Sequence, residues 1–165
     1  MTRPVAQTLP SHGALAGLDP GRSKCGLVRT DVDRQLLLET LVIAPEQAWG
    51  RLEGWLLRGE VVAVILGNGT GSGGWRRRLA PLVPVLLVEE HGSTLAARQR
   101  FWELHPARGW RRLLPRGLRQ PPRDWDDVVA QLLLERLLGH PLSTAPEAHR
   151  NVPDRSVSDA ERGQP

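Results

Sequence analysis

The sequence predicts an α/β fold: a mixed five-stranded sheet with an antiparallel edge hairpin and parallel inner strands, flanked by helices. Three observations predict it. Short apolar runs ending in Gly, Pro or Asp alternate with amphipathic stretches at helical spacing. Only a short turn-like string, Asp31-Val32-Asp33, separates the second and third runs. From Val61 onward strands and helices alternate, as a parallel sheet with crossovers requires.

In chain order, residues 1–13 are polar, contain prolines and read as a flexible leader. Ala14 to Leu18 is a buried strand running into Asp19-Pro20-Gly21. Gly26 to Thr30 and Gln35 to Ile43 form the hairpin. Pro45 suits the first helical position, and Trp49, Leu52, Trp55 and Leu56 follow at helical spacing until Gly59 ends the helix. Val61 to Gly67 is apolar throughout, as in a strand covered on both faces. A Gly-rich stretch, 67–74, leads into a short basic helix around Trp75 to Leu82. Val83 to Val88 is a further buried strand, Thr94 to about His105 a helix, and Asp124 to Leu138 the final helix. The Pro-rich basic segment between them, 106–122, has no clear period. Residues 139–165 read as a disordered tail, leaving 14–138 as the folded domain.

The charge balance narrows the partners. The 165 residues hold 22 Lys+Arg against 18 Asp+Glu, and Lys24 is the one lysine. Arginine's planar fork matches phosphate oxygens, so this balance favours a nucleic-acid partner; a GC-rich gene would also favour arginine over lysine. Between Arg98 and Arg123 stand eight arginines (Arg98, Arg100, Arg108, Arg111, Arg112, Arg116, Arg119, Arg123) against one acid, Glu103. Trp102 and Trp110 fall within that segment, and both read as core residues. The single Cys25 excludes a disulfide framework and a thiolate zinc site, and reads as a buried strand residue. No signal-peptide pattern and no apolar run of roughly 18 residues is present. A cytoplasmic protein is expected.

Acids stand where an α/β sheet places its chemistry. Asp19 ends the first strand and Glu89-Glu90 the last, and ligands in open sheets bind beyond the carboxyl ends of strands. Asp126 opens the final helix with Val129, Ala130, Leu133 and Leu137 on its side, so its carboxylate belongs at the rim of the buried face. Asp127 shares a face with Gln131 and Glu135 and should point to solvent. Converging carboxylates are costly to desolvate, and an all-oxygen set selects Mg²⁺ or Mn²⁺. Such a site supports in-line displacement at phosphorus by water. Taken singly, Asp19 also suits a turn and Asp126 a helix dipole. No Gly-Lys-Ser/Thr follows the 67–74 stretch, so it is not a phosphate loop.

Three segments together resemble the YqgF/RuvX-type RNase H-like family, known as putative pre-16S ribosomal RNA processing nucleases and Holliday-junction resolvases. Asp19-Pro20-Gly21-Arg22-Ser23-Lys24-Cys25-Gly26-Leu27 resembles its opening Asp-x-Gly-x-x-Arg-x-Gly motif. Val88-Glu89-Glu90-His91-Gly92-Ser93-Thr94 resembles its Asp-Glu-Arg-x-Ser-Thr segment, and Asp126-Asp127-Val128-Val129-Ala130 its closing Asp-x-x-Ala-Ala helix. Lys24 and His91 stand where the family usually has Arg, and Val129 replaces the first Ala of the closing pair. The basic insert is similar to that of a cyanobacterial-type branch.

The resemblance implies an RNase H-like fold and an acidic triad of Asp19, Glu90 and Asp126 that is both catalytic and metal-binding, with Glu89 and Asp127 as second choices. It implies Mg²⁺ or Mn²⁺ as cofactor and RNA precursor or branched DNA as partner, met by Arg22, Lys24, Arg98, Arg111, Arg112, Arg116, Arg119 and Arg123. A metal-dependent nuclease processing the 5′ end of the 16S ribosomal RNA precursor is the leading expectation. A junction resolvase, which predicts a homodimer, and a non-catalytic nucleic-acid-binding module remain beside it.

Overall fold

A computed structural model describes residues 8–89, 93–115 and 124–151. Eleven elements follow one another: β1 (Leu15–Asp19), β2 (Cys25–Thr30), β3 (Leu36–Ile43), α1 (Pro45–Leu57), β4 (Ala63–Gly67), α2 (Ser72–Leu79), β5 (Val85–Val88), α3 (Ser93–Leu104), a 3-10 turn (Gly109–Leu113), α4 (Asp126–Leu138) and β6 (Ser143–Asn151). The sheet runs β5-β4-β1-β2-β3-β6. β2 pairs antiparallel with both β1 and β3, while β1–β4, β4–β5 and β3–β6 are parallel. Three antiparallel strands continued by parallel β4 and β5 make the RNase H-like order, with helices on both faces.

The expected elements form, with shifted ends and three differences. The sheet has six strands, because Ser143–Asn151 pairs with β3 inside the segment read as a disordered tail. Few apolar residues there gave no strand signal; the open edge of β3 supplies the backbone partners instead. Residues 10–13, read as part of a flexible leader, are held by Arg34, whose guanidinium donates to the carbonyls of Gly13 (2.8 Å) and Pro10 (2.6 Å). Finally, β5 is an edge strand and not fully buried: Leu87 is 44% exposed. Residues 1–7 and 152–165 lie outside the described part of the chain.

Local chemistry explains the hairpin and the first helix. Asp31 Oδ1 accepts from the N–H groups of Gln35 and Leu36, both at 2.8 Å, closing the β2–β3 turn. Pro45 sits at the start of α1, and the Gln47 side chain accepts from the Ala44 N–H at 3.2 Å.

The two sheet faces carry separate cores. One, covered by α1 and α2, joins Ala16, Leu18 and Leu66 to Leu52, Trp55 and Leu79. The other, covered by α4, joins Leu15, Val28 and Ile65 to Ala130, Leu133 and Leu134. Cys25 is fully buried at the head of β2, as expected. A third cluster, Ala97, Phe101, Val128 and Val129, docks α3 on α4, with Trp102 and Trp125 packed against it. Each fully buried leucine contributes about 1.5–3 kcal/mol, so the two faces hold α4 and α1 firmly in place. No helix among the described residues is long and apolar enough to cross a membrane.

Candidate metal centre

Asp19 reaches its position through strand alternation. Leu15 packs in the α4 core, so Gly17 and Asp19, two and four residues on, face the same side of the sheet. Along that row α4 lies unusually close. A Cβ on Gly17 would meet the Ala130 carbonyl oxygen at 2.7 Å. At Gly26, the cross-strand partner of Asp19, a Cβ would lie 1.8 Å from the Asp126 carbonyl oxygen. The missing side chain at Gly26 therefore seats the first residue of α4 directly beside Asp19. Paired residues of an antiparallel ladder have Cα atoms only about 4.5–5.5 Å apart, so Asp19 and Asp126 share one corner of the molecule.

The electrostatics agree with that placement. Asp126 is half-buried, and its carboxyl is pushed above the usual carboxylate range, by burial first and then by Asp124 and Asp127; Lys24 and a backbone N–H pull the other way. The Cys25 thiol is likewise pushed up, chiefly by burial, with the charges of Asp19 and Asp126 both adding to the shift. One thiol thus senses both carboxylates.

Lys24, on the β1–β2 turn, forms an ion pair with Asp124, both about half exposed. It ties the turn after Asp19 to the residues leading into α4. The sequence does not single out Asp124, which stands at the start of the expected final helix, where an acid reads as an ordinary dipole partner.

Asp127 departs from expectation. It is buried, 7% exposed, on a face that continues through Gln131 (3% exposed). Helical spacing alone put that face towards solvent, but α4 is covered by the sheet on one side and by α3 on another. Below Asp127, Gln131 donates to Glu135 at 2.8 Å and to the Leu142 carbonyl at 3.2 Å, while Arg100 donates to Glu135 at 3.0 Å.

The C-terminal ends of β1, β4 and β5 lie at one end of the sheet, since Leu18 pairs with Leu66 and Gly67 with Val88. Glu89 follows there with its side chain exposed, and its carbonyl accepts from Arg136 of α4 at 2.8 Å. Glu90 lies outside the described residues. Among the described residues no three His, Cys, Asp or Glu side chains form a group that could hold a metal ion. Asp19 and Asp126 are oxygen donors of the kind a hard divalent cation takes, and the ionised form of Asp126 is disfavoured by burial and by Asp124 and Asp127.

The basic residues divide. Arg22 and Arg112 are exposed and Arg98 is half-buried. Arg100, counted with the basic cluster, is only 19% exposed and serves Glu103 and Glu135 instead. The side chain of Arg111 and all of Arg116, Arg119 and Arg123 lie outside what is described. Arg78, the last of three consecutive arginines (Arg76, Arg77, Arg78) on α2, stacks 3.6 Å from the ring centre of Trp49. Trp102 packs edge-to-face on Phe101, as a core residue should. Trp110, also expected in the core, is instead 66% exposed.

No family model and no curated protein matches the chain. Among solved structures it is similar to RuvC of T. thermophilus in complex with Holliday junction substrate, at 22% identity and a TM-score of 0.45, over 78% of this chain and 95% of that one. It is also similar to the human cytomegalovirus terminase nuclease domain, Mn soaked, at 11% identity and a TM-score of 0.35, over 77% and 83% of the two chains. The sheet order, and not these overlaps, carries the fold.

Proposed function

We propose that this protein is a metal-dependent nuclease that hydrolyses phosphodiester bonds in structured nucleic acid. Its setting, on the YqgF/RuvX-type resemblance, is processing of the 5′ end of the 16S ribosomal RNA precursor. The observation that carries the reading is the seating of Asp126 on Gly26, which brings two carboxylates from distant parts of the chain to one strand end. Asp19, Glu90 and Asp126 would hold Mg²⁺ or Mn²⁺. When bound, such an ion supplies a nucleophilic water and stabilises charge on the phosphate oxygens. Asp19 fixes one side of the site from a strand whose core neighbours are fully buried, and Asp126 the other from a helix locked to that strand. Arg22, Lys24, Arg98, Arg111, Arg112, Arg116, Arg119 and Arg123 are the proposed phosphate contacts.

The test is cleavage of a ribosomal precursor RNA and a four-way DNA junction with Mg²⁺ or Mn²⁺, comparing the native protein with Asp19→Asn and Asp126→Asn. Metal-dependent cleavage lost in both variants is the expected result. Equal cleavage by all three proteins overturns the assignment, and paired nicks confined to the junction replace the RNA reading with a resolvase.

A further inference from the structure

From Val61 to Val88 the chain holds three arginines and no acid. All three, Arg76, Arg77 and Arg78, stand in the eight-residue helix α2, and all three are exposed. α2 is the crossover between the parallel strands β4 and β5, so it starts at the end of the sheet where Asp19 stands. Its apolar residues, Trp75 and Leu79, pack into the core shared with α1, on the sheet face opposite α4. Arg78 lies over the Trp49 ring and so ties α2 to α1. Among the described residues, ion pairs hold Arg29, Arg51, Arg58 and Arg100 to glutamates, and none holds Arg76 or Arg77. Arg76 sits about 6 Å along the helix axis from Ser72. Arg77 folds back along the helix: its Nη1 lies 4.0 Å from where a Cβ on Gly73 would stand. Its charge therefore lies over the first turn of α2, towards the acidic end of the sheet.

A cation in the last turn of a helix is ordinary, because it complements the helix dipole. Three in succession, with no acid in the surrounding chain, repel one another, and Arg77 turns away from the C-terminal carbonyls that such a role requires. Guanidinium forks stay charged and meet phosphate oxygens bidentately. A lipid surface would need apolar anchors beside the cations, but the apolar residues of α2 face inward. We propose that Arg76 and Arg77 form a second phosphate-binding surface, so that nucleic acid at the acidic corner is also held by its backbone on the sheet face opposite α4. This rests on the nucleic-acid reading above and adds a contact surface outside the residues named there.

The experiment measures binding of the full-length protein by fluorescence anisotropy in EDTA, across a series of salt concentrations. The probes are a blunt DNA duplex and the ribosomal precursor RNA. The variants are Arg76→Gln, Arg77→Gln, the double Arg76→Gln/Arg77→Gln and the double Arg76→Lys/Arg77→Lys. Arg58→Gln removes the same charge from the same helical layer, at a residue already paired with Glu60. All positions are exposed, and glutamine and lysine both suit a helix, so the variants fold, which circular dichroism confirms. On the duplex, each single change on α2 is expected to make the slope of log K against log salt shallower by about 0.9, and the double glutamine variant by about 1.8. The lysine variant keeps the native slope, and Arg58→Gln leaves it unchanged. An unchanged slope in the double glutamine variant, or an equal change in Arg58→Gln, overturns the second surface while leaving nucleic-acid binding intact. No binding of either probe by the native protein overturns both readings. Binding to phosphatidylglycerol vesicles that depends on Arg76 and Arg77, with both probes bound as by the native protein, assigns α2 to a membrane surface and also overturns the proposal.

Discussion

Gly26 and Asp126 touch backbone to backbone: a Cβ on Gly26 would stand 1.8 Å from the Asp126 carbonyl oxygen and 2.1 Å from its carbonyl carbon. No rotamer change relieves such a contact, because the obstacle is main chain at the first turn of α4. Gly26→Ala is expected to destabilise the protein by about 3 kcal/mol, at the upper end of overpacking costs. It should also remove metal-dependent cleavage by shifting Asp126 from Asp19. Gly50→Ala, in the exposed middle of α1 with nothing within 4 Å, should instead stabilise by up to about 1 kcal/mol. Chemical denaturation of the two variants checks the contrast, and similar midpoints for both would contradict the close approach.

The carboxyl of Asp126 is held above the usual range, so its ionised form is disfavoured in the folded, metal-free protein. The sign follows from linkage: its contribution is most favourable below the unfolded-state value, about 3.9 for Asp, and is lost as pH rises through the higher folded value. Asp126→Asn should therefore raise the melting temperature of metal-free protein at pH 7, with the gain shrinking as pH falls towards about 4. Adding Mn²⁺ should then raise the melting temperature of the native protein but not of the variant. Thermal scans across pH with and without metal read both effects.

Lys24 and Asp124 are a half-exposed pair, so their stability contribution is small. Lys24→Ala is expected to change folding stability by less than about 1 kcal/mol. Its effect belongs to the acidic corner, since removing a cation that acts on Asp126 favours a bound metal ion. Titration with Mn²⁺ should give a dissociation constant that is about two- to fivefold lower, as expected for one charge across high-dielectric surroundings. A weaker metal affinity would show that Lys24 matters by holding the turn and not by its charge.

Glu135 gathers the lower half of α4. Its Oε1 accepts from Arg100 at 3.0 Å, Gln131 at 2.8 Å and the Leu142 N–H at 2.8 Å, with only 9% of its side chain exposed. Glu135→Ala leaves Arg100 and a backbone donor without this acceptor, and breaking such a pair costs about 3 kcal/mol. Because Leu142 immediately precedes β6, hydrogen exchange should accelerate in β6 before it does in β1 or β4. Uniform acceleration across the sheet would contradict that local role.

By itself the sequence determined the elements and the sheet class. Apolar runs and turn residues have periods that local geometry imposes, so β1 to β5 and α1 to α4 were legible within a few residues. Asp19 and Asp126 were legible as candidates for the same reason: each stands at an element end. Tertiary packing decided the rest. Whether Asp127 or Asp126 meets water depends on α3 covering a second side of α4, which no single-helix period encodes. That Ser143–Asn151 joins the sheet depends on an open edge at β3 and on backbone hydrogen bonds that are blind to side-chain polarity. That Trp110 is exposed while Trp102 packs on Phe101 is likewise a matter of tertiary contact, since both rings are equally apolar in sequence. And the start of α4 sits beside the Asp19–Gly26 strand pair because Gly26 has no side chain at that contact, a closeness that the 100 residues from Gly26 to Asp126 conceal.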